Sequence, residues 1–420
     1  MDGMVRSHPS VGVHDPLFAR AVVLANSDDL SEAFAVISAD ICALKKSDAD
    51  IVRRAAEIKT GIPRNRIIAA ATHTHSGPAT VGVFGNQETD YVGELRDRLA
   101  GAIVEAARAA KPAAAGCASG HENTISRYRR LLADDGHVVM NWEPYPAERI
   151  LRPLGEIDPE VGVLKVVSAE DPNELICLLF NHAGHPNVLS GDNYLLSADY
   201  PGFASRLLED EFGCTAMFVN GAQGTMDIDG LRDRDFEGLE RTGTALAKAV
   251  SETARTIRAS ADASVRGSHT RYTVPPRKIS DAELAWAEDV LKRTGGALQA
   301  AADGVGDDYR ALLYKELREA QKSEVEIEQV CFAVGDSAYI SFPGEMFTET
   351  GMRIKAASPF SHTWIVGLAN GYIGYVPTRE AVAQGGYETD VRRVDESAEE
   401  IVAERSLTLL RDLHCIKGSQ

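Results

Sequence analysis

The chain has 420 residues, enough for one large domain or two ordinary ones with a sizeable core. Hydrophobic residues make up 44% and charged residues 25%, a globular balance that excludes a disordered or fibrous chain. The formal net charge of −18 argues against nucleic acid or an anionic membrane as the main partner.

Strand-like and helix-like segments alternate from the start. "RAVVLAN" and "EAFAVISADIC" read as strands joined by a polar turn. "SDADIVRRAAEIKTG" predicts a helix with Ser47 as its cap, Ile51, Ala55 and Ile58 on one face, and Gly61 at its end. "RIIAAATHTH" is the next strand. A long amphipathic helix follows, stopped by Pro112. "VGVLKVVSA", "ELICLLFNHA" and "CTAMFVNGA" read as strands; "YPGFASRLLEDEFG" and "DFEGLERTGTALAKAVSETARTI" read as helices. From Ser280 to Lys322 the chain is polar and rich in alanine, which predicts two helices broken around "ADGVGDD", as a hairpin over the body or a lid. "VEIEQVCFAVGDSAYISF" predicts a hairpin turning at Gly-Asp. The expected fold class is α/β (α+β): a mixed β-sheet core flanked by helical layers, in one domain over 1–420 with the 280–322 region as a helical insertion.

The six cysteines form no C-x-x-C pair and several lie in apolar runs, so buried free thiols are expected. No apolar run approaches the ~18 residues of a membrane span. The segment "MDGMVRSHPS" lacks the apolar stretch of a signal peptide. These features predict a reduced, cytoplasmic enzyme.

Metal-capable residues recur at or beyond predicted strand ends, where sheets fix position and loops supply groups. In "THTHSGP", His73 and His75 share a face of an extended strand. They could bind one metal together, divide into a ligand and an acid or base, or simply be hydrogen-bonded loop histidines. "FNHAGHPNVLSGDNYLLSADYPG" offers His182, His185, Asp192 and Asp199, the last placed to cap a helix. "FVNGAQGTMDID" brings Asn220, Asp227 and Asp229 on a glycine-rich loop. Glu345 follows a Pro-Gly turn, and Tyr372, Tyr375 and Tyr387 crowd a glycine-rich stretch where plain aromatic packing is the simpler reading of any one of them.

Taken in order, these segments resemble the neutral/alkaline non-lysosomal ceramidase family. The similar elements are Thr72–Pro78, the His185 and Asp199 pair, Gly344-Glu345-Met346, and "NGYIGYVPT" followed by "QGGYE". "GVHDPLFARAVVL" looks like the family's opening strand. The resemblance implies a zinc amidase that cleaves an N-acyl bond. His73, His185, Glu345 and Tyr375 match the family's zinc ligands, and His75 and Tyr387 match residues at the scissile amide. Arg127 is the match for a family arginine near the site, and Gly3 for a glycine near the oxyanion.

The likeness has gaps. The family's C-terminal sandwich domain is expected to be absent, and Thr225 and Ile228 replace an aspartate and a proline of its glycine-rich loop. These departures, with no membrane-docking helix evident, lead us to expect a smaller, soluble amide in place of ceramide. The expected partner is a small-molecule amide or lipid-like substrate, without nucleic acid or stable membrane insertion; a homo-oligomer is allowed. A zinc lactonase or esterase using the same site, and a non-catalytic metal or ligand binder, are the competing expectations.

Overall fold

Runs of small and β-branched residues build several sheets, three of which meet around one shared core. The computed structural model describes residues 1–85, 87–228, 234–320 and 323–416. The first sheet joins Ala19–Leu24, Phe34–Ala39 and Ile67–Ala71, the last two in parallel. The second runs in the order Thr215–Asn220, Leu175–His182, Glu160–Ser168, Ala113–His121. The third runs Val265–Val274, Val325–Val334, Ser337–Ser341, His362–Val366. The expected hairpin is the middle pair of that sheet, with Val334 opposite Ser337 and Gly335 at φ +58° in its turn.

Side-chain alternation explains how one strand serves two layers. Phe34 and Val36 face inward to Leu179, Met217, Phe332 and Trp364, so all three sheets meet in one apolar cluster. Ala35 and Ile37 face the other way, onto helices Lys46–Thr60 and Thr89–Arg108. The second sheet's outer face carries Leu178, Phe180 and Phe218 against helices Asp199–Phe212 and Phe236–Thr256. The third packs Cys331, Ala338 and Ile340 against helix Ala398–Cys415. Where the second and third sheets touch, Gly162 lies under the Trp364 indole; a Cβ there would come within 2.3 Å of the ring. A side chain at 162 would push the two sheets apart.

The 280–322 region forms helices Asp281–Thr294 and Asp307–Ala320; Gln321 and Lys322 lie outside the described residues. Ser280 and Glu283 make a reciprocal capping box that starts the first helix. The pair packs on Phe347, Tyr375 and Val391, so it roofs the region described next. Two local expectations are corrected. Helix 46–60 begins two residues early, and Ser47 does not cap it; Lys45 takes the cap position without a side-chain bond. The long helix ends at Arg108, before Pro112 can act. All six cysteines are free, as expected. Among the described residues, no helix is long and apolar enough to cross a membrane.

Candidate metal centre and active site

One residue from each sheet arrives at a common point. His73 follows strand Ile67–Ala71 of the first, His185 follows Leu175–His182 of the second, and Glu345 follows Ser337–Ser341 of the third. His73 reaches this point with φ +77°, a left-handed conformation that a side-chain-bearing residue adopts at a cost. Its N–H is tied to the Ile41 carbonyl at 2.9 Å, so the surrounding fold holds the strained turn. Asn220, singled out in the sequence on weak grounds, joins two of the approaching loops. Its amide donates to the Thr72 carbonyl (3.1 Å) and the Gly184 carbonyl (2.9 Å).

The triad is buried and its free atoms converge. His73 Nε2 lies 3.4 Å and His185 Nε2 3.2 Å from Glu345 Oε2. Each ring's other nitrogen is already used: His73 Nδ1 meets the Cys42 carbonyl at 2.8 Å, and His185 Nδ1 the Met226 carbonyl at 2.7 Å. Carbonyls only accept, so both Nδ1 atoms carry hydrogen, and each ring when neutral turns its Nε2 lone pair toward the centre. Glu345 Oε2, fully buried, has no hydrogen-bond donor, while its Oε1 accepts from the Tyr372 hydroxyl at 2.8 Å. Two imidazole nitrogens and a carboxylate oxygen that face one another favour a positive charge between them, whether a proton or an ion. This donor set could hold a metal ion.

The electrostatics carry the same demand. Burial opposes protonation of His73, yet Cys42 and Glu345 outweigh it and raise its proton affinity well above normal. Burial alone would raise Glu345, but the imidazoles of His73 and His185 hold its carboxyl well below the usual range. Burial and then Arg129 push His185 down, toward the neutral form that binds metals. A second group, Cys42, His73 and His75, also lies close enough to share an ion. It fits less well, because Cys42 Sγ approaches the Nδ1 edge of His73 (3.6 Å), which already bonds a carbonyl.

His75 stands beside the triad, its Nε2 3.2 Å from His73 Nε2 and its Nδ1 without a partner. Burial, then His73 and His185, keep it neutral. Gly3 packs against this ring, and a Cβ at position 3 would lie 2.4 Å from it. Tyr375 pairs in parallel register with Glu345, and its ring centroid lies 5.8 Å from that of Tyr387. Both line, with His73, His75 and Glu345, a cavity of about 50 Å³. Burial pushes both phenols up.

Arg127 does not join this group. It points outward from the short strand Ser126–Tyr128 and bonds the Thr124 and Ser126 carbonyls. Arg129, two residues on, is the buried arginine of the site. Its Nη1 is 3.3 Å from His185 Nε2, and its guanidinium lies 5.3 Å from the ring centroids of Trp142 and Tyr375. The expectation on Arg127 is therefore corrected to Arg129. The strand stops at Tyr128, so strict alternation cannot be carried to the two buried arginines that follow.

Residues 5–225 match the family model described as neutral/alkaline non-lysosomal ceramidase, N-terminal. The chain belongs to that family. The neutral ceramidase of Pseudomonas aeruginosa is 23% identical, over 77% of this chain and 56% of that relative's length. A solved structure of neutral ceramidase from Pseudomonas aeruginosa aligns with TM-score 0.71 at 21% identity, covering 97% of this chain and 71% of that one. A structure titled "Ceramidase complexed with C2" aligns with TM-score 0.73 at 20% identity, covering 100% and 73%. This ceramidase-family fold thus extends across the chain, beyond the residues the family model matches.

Two further residues of the family-like segments have positions the sequence did not show. Asp199 was expected to cap a helix; Ala198 holds the cap position, and Asp199, at φ +56°, accepts from the N–H groups of Leu189 and Tyr200. It anchors the loop that carries His185. Burial raises its carboxyl to about 6 from 3.8. The unfolded chain therefore releases this proton first, and folding loses stability as pH rises from about 4 through 6. Asp199→Asn is expected to remove up to about 3 kcal/mol of that fall. Urea unfolding of both proteins between those pH values checks it; a constant difference would refute the assignment. Thr225, in the altered loop, approaches Glu349 at 3.3 Å. Asp227 is buried, with Arg234 3.7 Å away; Asp229 lies outside the described residues.

Proposed function

We propose that this chain is a zinc-dependent hydrolase of N-acyl amide bonds, with His73, His185, Glu345 and Tyr375 as the residues that hold the ion. The observation that supports it most is the convergence of two Nδ1-anchored imidazoles on an orphaned, buried carboxylate oxygen. A zinc ion bound by such a set supplies a Lewis acid and a water acidic enough to react near neutral pH.

The chain's own residues account for the rest. Tyr387 lines the cavity with its hydroxyl protonated, a donor suited to the negative charge that develops on an amide oxygen. Neutral His75 can take a proton and deliver it to the departing amine. Arg129 stands between Tyr375, Tyr387 and His185, where its fixed charge orients both phenols. The substrate we infer is smaller than a two-chain ceramide.

Metal analysis of the purified protein, joined to a screen of N-acyl substrates, tests the reading. About one zinc per chain with amide turnover is expected; a metal-free wild type would sink it. His75→Ala should keep its metal and lose rate by about a hundredfold or more. Metal lost together with rate would show that His75 is a ligand instead.

A further inference from the structure

Beside the small cavity at the triad lies a second one of about 750 Å³, a volume typical of small-molecule sites. Val83, Tyr372 and Arg393 line both, so the two adjoin. Val81, Ile279, Leu317 and Ile373 give the larger chamber apolar walls. Its charged lining runs against the rest of the molecule. In a chain of net charge −18, five cations among the described residues (Lys45, Arg277, Lys278, Arg318 and Arg393) face it, with Glu316 as the one carboxylate described there.

Three of these cations are matched. Arg393 pairs with Glu316 (2.7 Å), Arg277 with Glu283 (2.8 Å) and Arg318 with Asp281 (2.6 Å). Of the two lysines, Lys278 is exposed and acts on the Asp395 carboxylate. Lys45 donates to the neutral Gln87 amide at 2.9 Å and makes no ion pair among the described residues. Half-buried Lys45 bears on the choice of occupant. A neutral lipid filling the chamber would strip water from its ammonium and return nothing, a net cost. An anion would replace that water with an ion pair strengthened by the apolar walls.

We propose that this chamber receives the part of the substrate remote from the scissile bond, and that this part carries a carboxylate. The substrate class is then an N-acyl amide whose carboxylate stands several bonds from the amide, such as an N-acyl ω-amino acid. The inference rests on the amidase reading for its chemistry, and on the chamber alone for its charge selection.

The test uses the metal-loaded full chain and two ligands with the same acyl group, an N-acyl ω-amino acid and its carboxamide. Binding and turnover are both measured, at low and high salt. The carboxylate should bind and turn over at least about tenfold better, with the preference shrinking as salt rises. The Lys45→Gln/Lys278→Gln protein, checked for unchanged unfolding and metal content, should lose that preference and treat the carboxamide as before. Equal binding of the two ligands by the wild type, or an equal loss of both in the variant, would overturn the inference. Selective binding of the carboxylate without hydrolysis of either ligand would uphold the chamber's role and reject the amidase reading alone.

Discussion

Replacing Glu345 by alanine is expected to strip the metal from the protein and to lower N-acyl hydrolysis by more than about a thousandfold. Glu345 provides the only negative charge in the triad, and its Oε2 is the atom on which both imidazoles converge. Without it, two neutral nitrogens and the Tyr375 phenol remain, a set without a carboxylate and too weakly donating to retain a divalent ion against dilution. Glu345→Gln is the sharper variant, because it keeps the size and the bond from Tyr372 while removing the charge. Elemental analysis and the rate should fall together in both. Retention of about one metal per chain in Glu345→Ala would move the centre elsewhere, with the Cys42 group as the first place to look.

The second large effect is on stability. Glu388 is fully buried and accepts from Arg129 Nε at 2.7 Å and Arg130 Nη1 at 2.8 Å, both arginines being buried as well. One carboxylate thus serves two guanidiniums. Glu388→Ala leaves both cations without their counter-charge, which is expected to cost about 3–5 kcal/mol. The midpoint of urea unfolding would fall accordingly. Loss of the exposed Lys248–Glu252 pair should cost about 0.5 kcal/mol or less and serves as the control. A Glu388→Ala protein as stable as that control would show that the Gly224 and Gly385 carbonyls, which also bind these arginines, suffice to hold them. The effect should extend to the site, since Arg129 lies against Tyr375 and Tyr387.

Much of this arrangement could be read from residue order alone, and the reasons for the rest are specific. The strands were legible because runs such as "FAVISA" and "LICLLFNH" are buried on both faces and so are apolar throughout. Their grouping into separate sheets was not, because pairings such as Val265–Val274 with Val325–Val334 join segments far apart in the chain. The structure brings His73, His185 and Glu345 together and places Tyr375 and Tyr387 in the same cavity. Arg129 was missed because two arginines two apart look alike until the end of a strand is known. Asp199 was misread because a carboxylate before a helix usually caps it, and only the fold shows the Leu189 N–H arriving from the His185 loop. The Tyr372 bond to Glu345 and the Cys42 carbonyl under His73 leave no pattern in one sequence.

That each sheet supplies one donor has a consequence for the unfolded chain. An ion held by His73, His185 and Glu345 joins points widely separated along the sequence that only the folded chain brings together. Its binding free energy is therefore gained by the folded state and lost on unfolding. Metal loading should therefore act as a clasp on the assembly of all three layers, raising the temperature at which they separate as one unit.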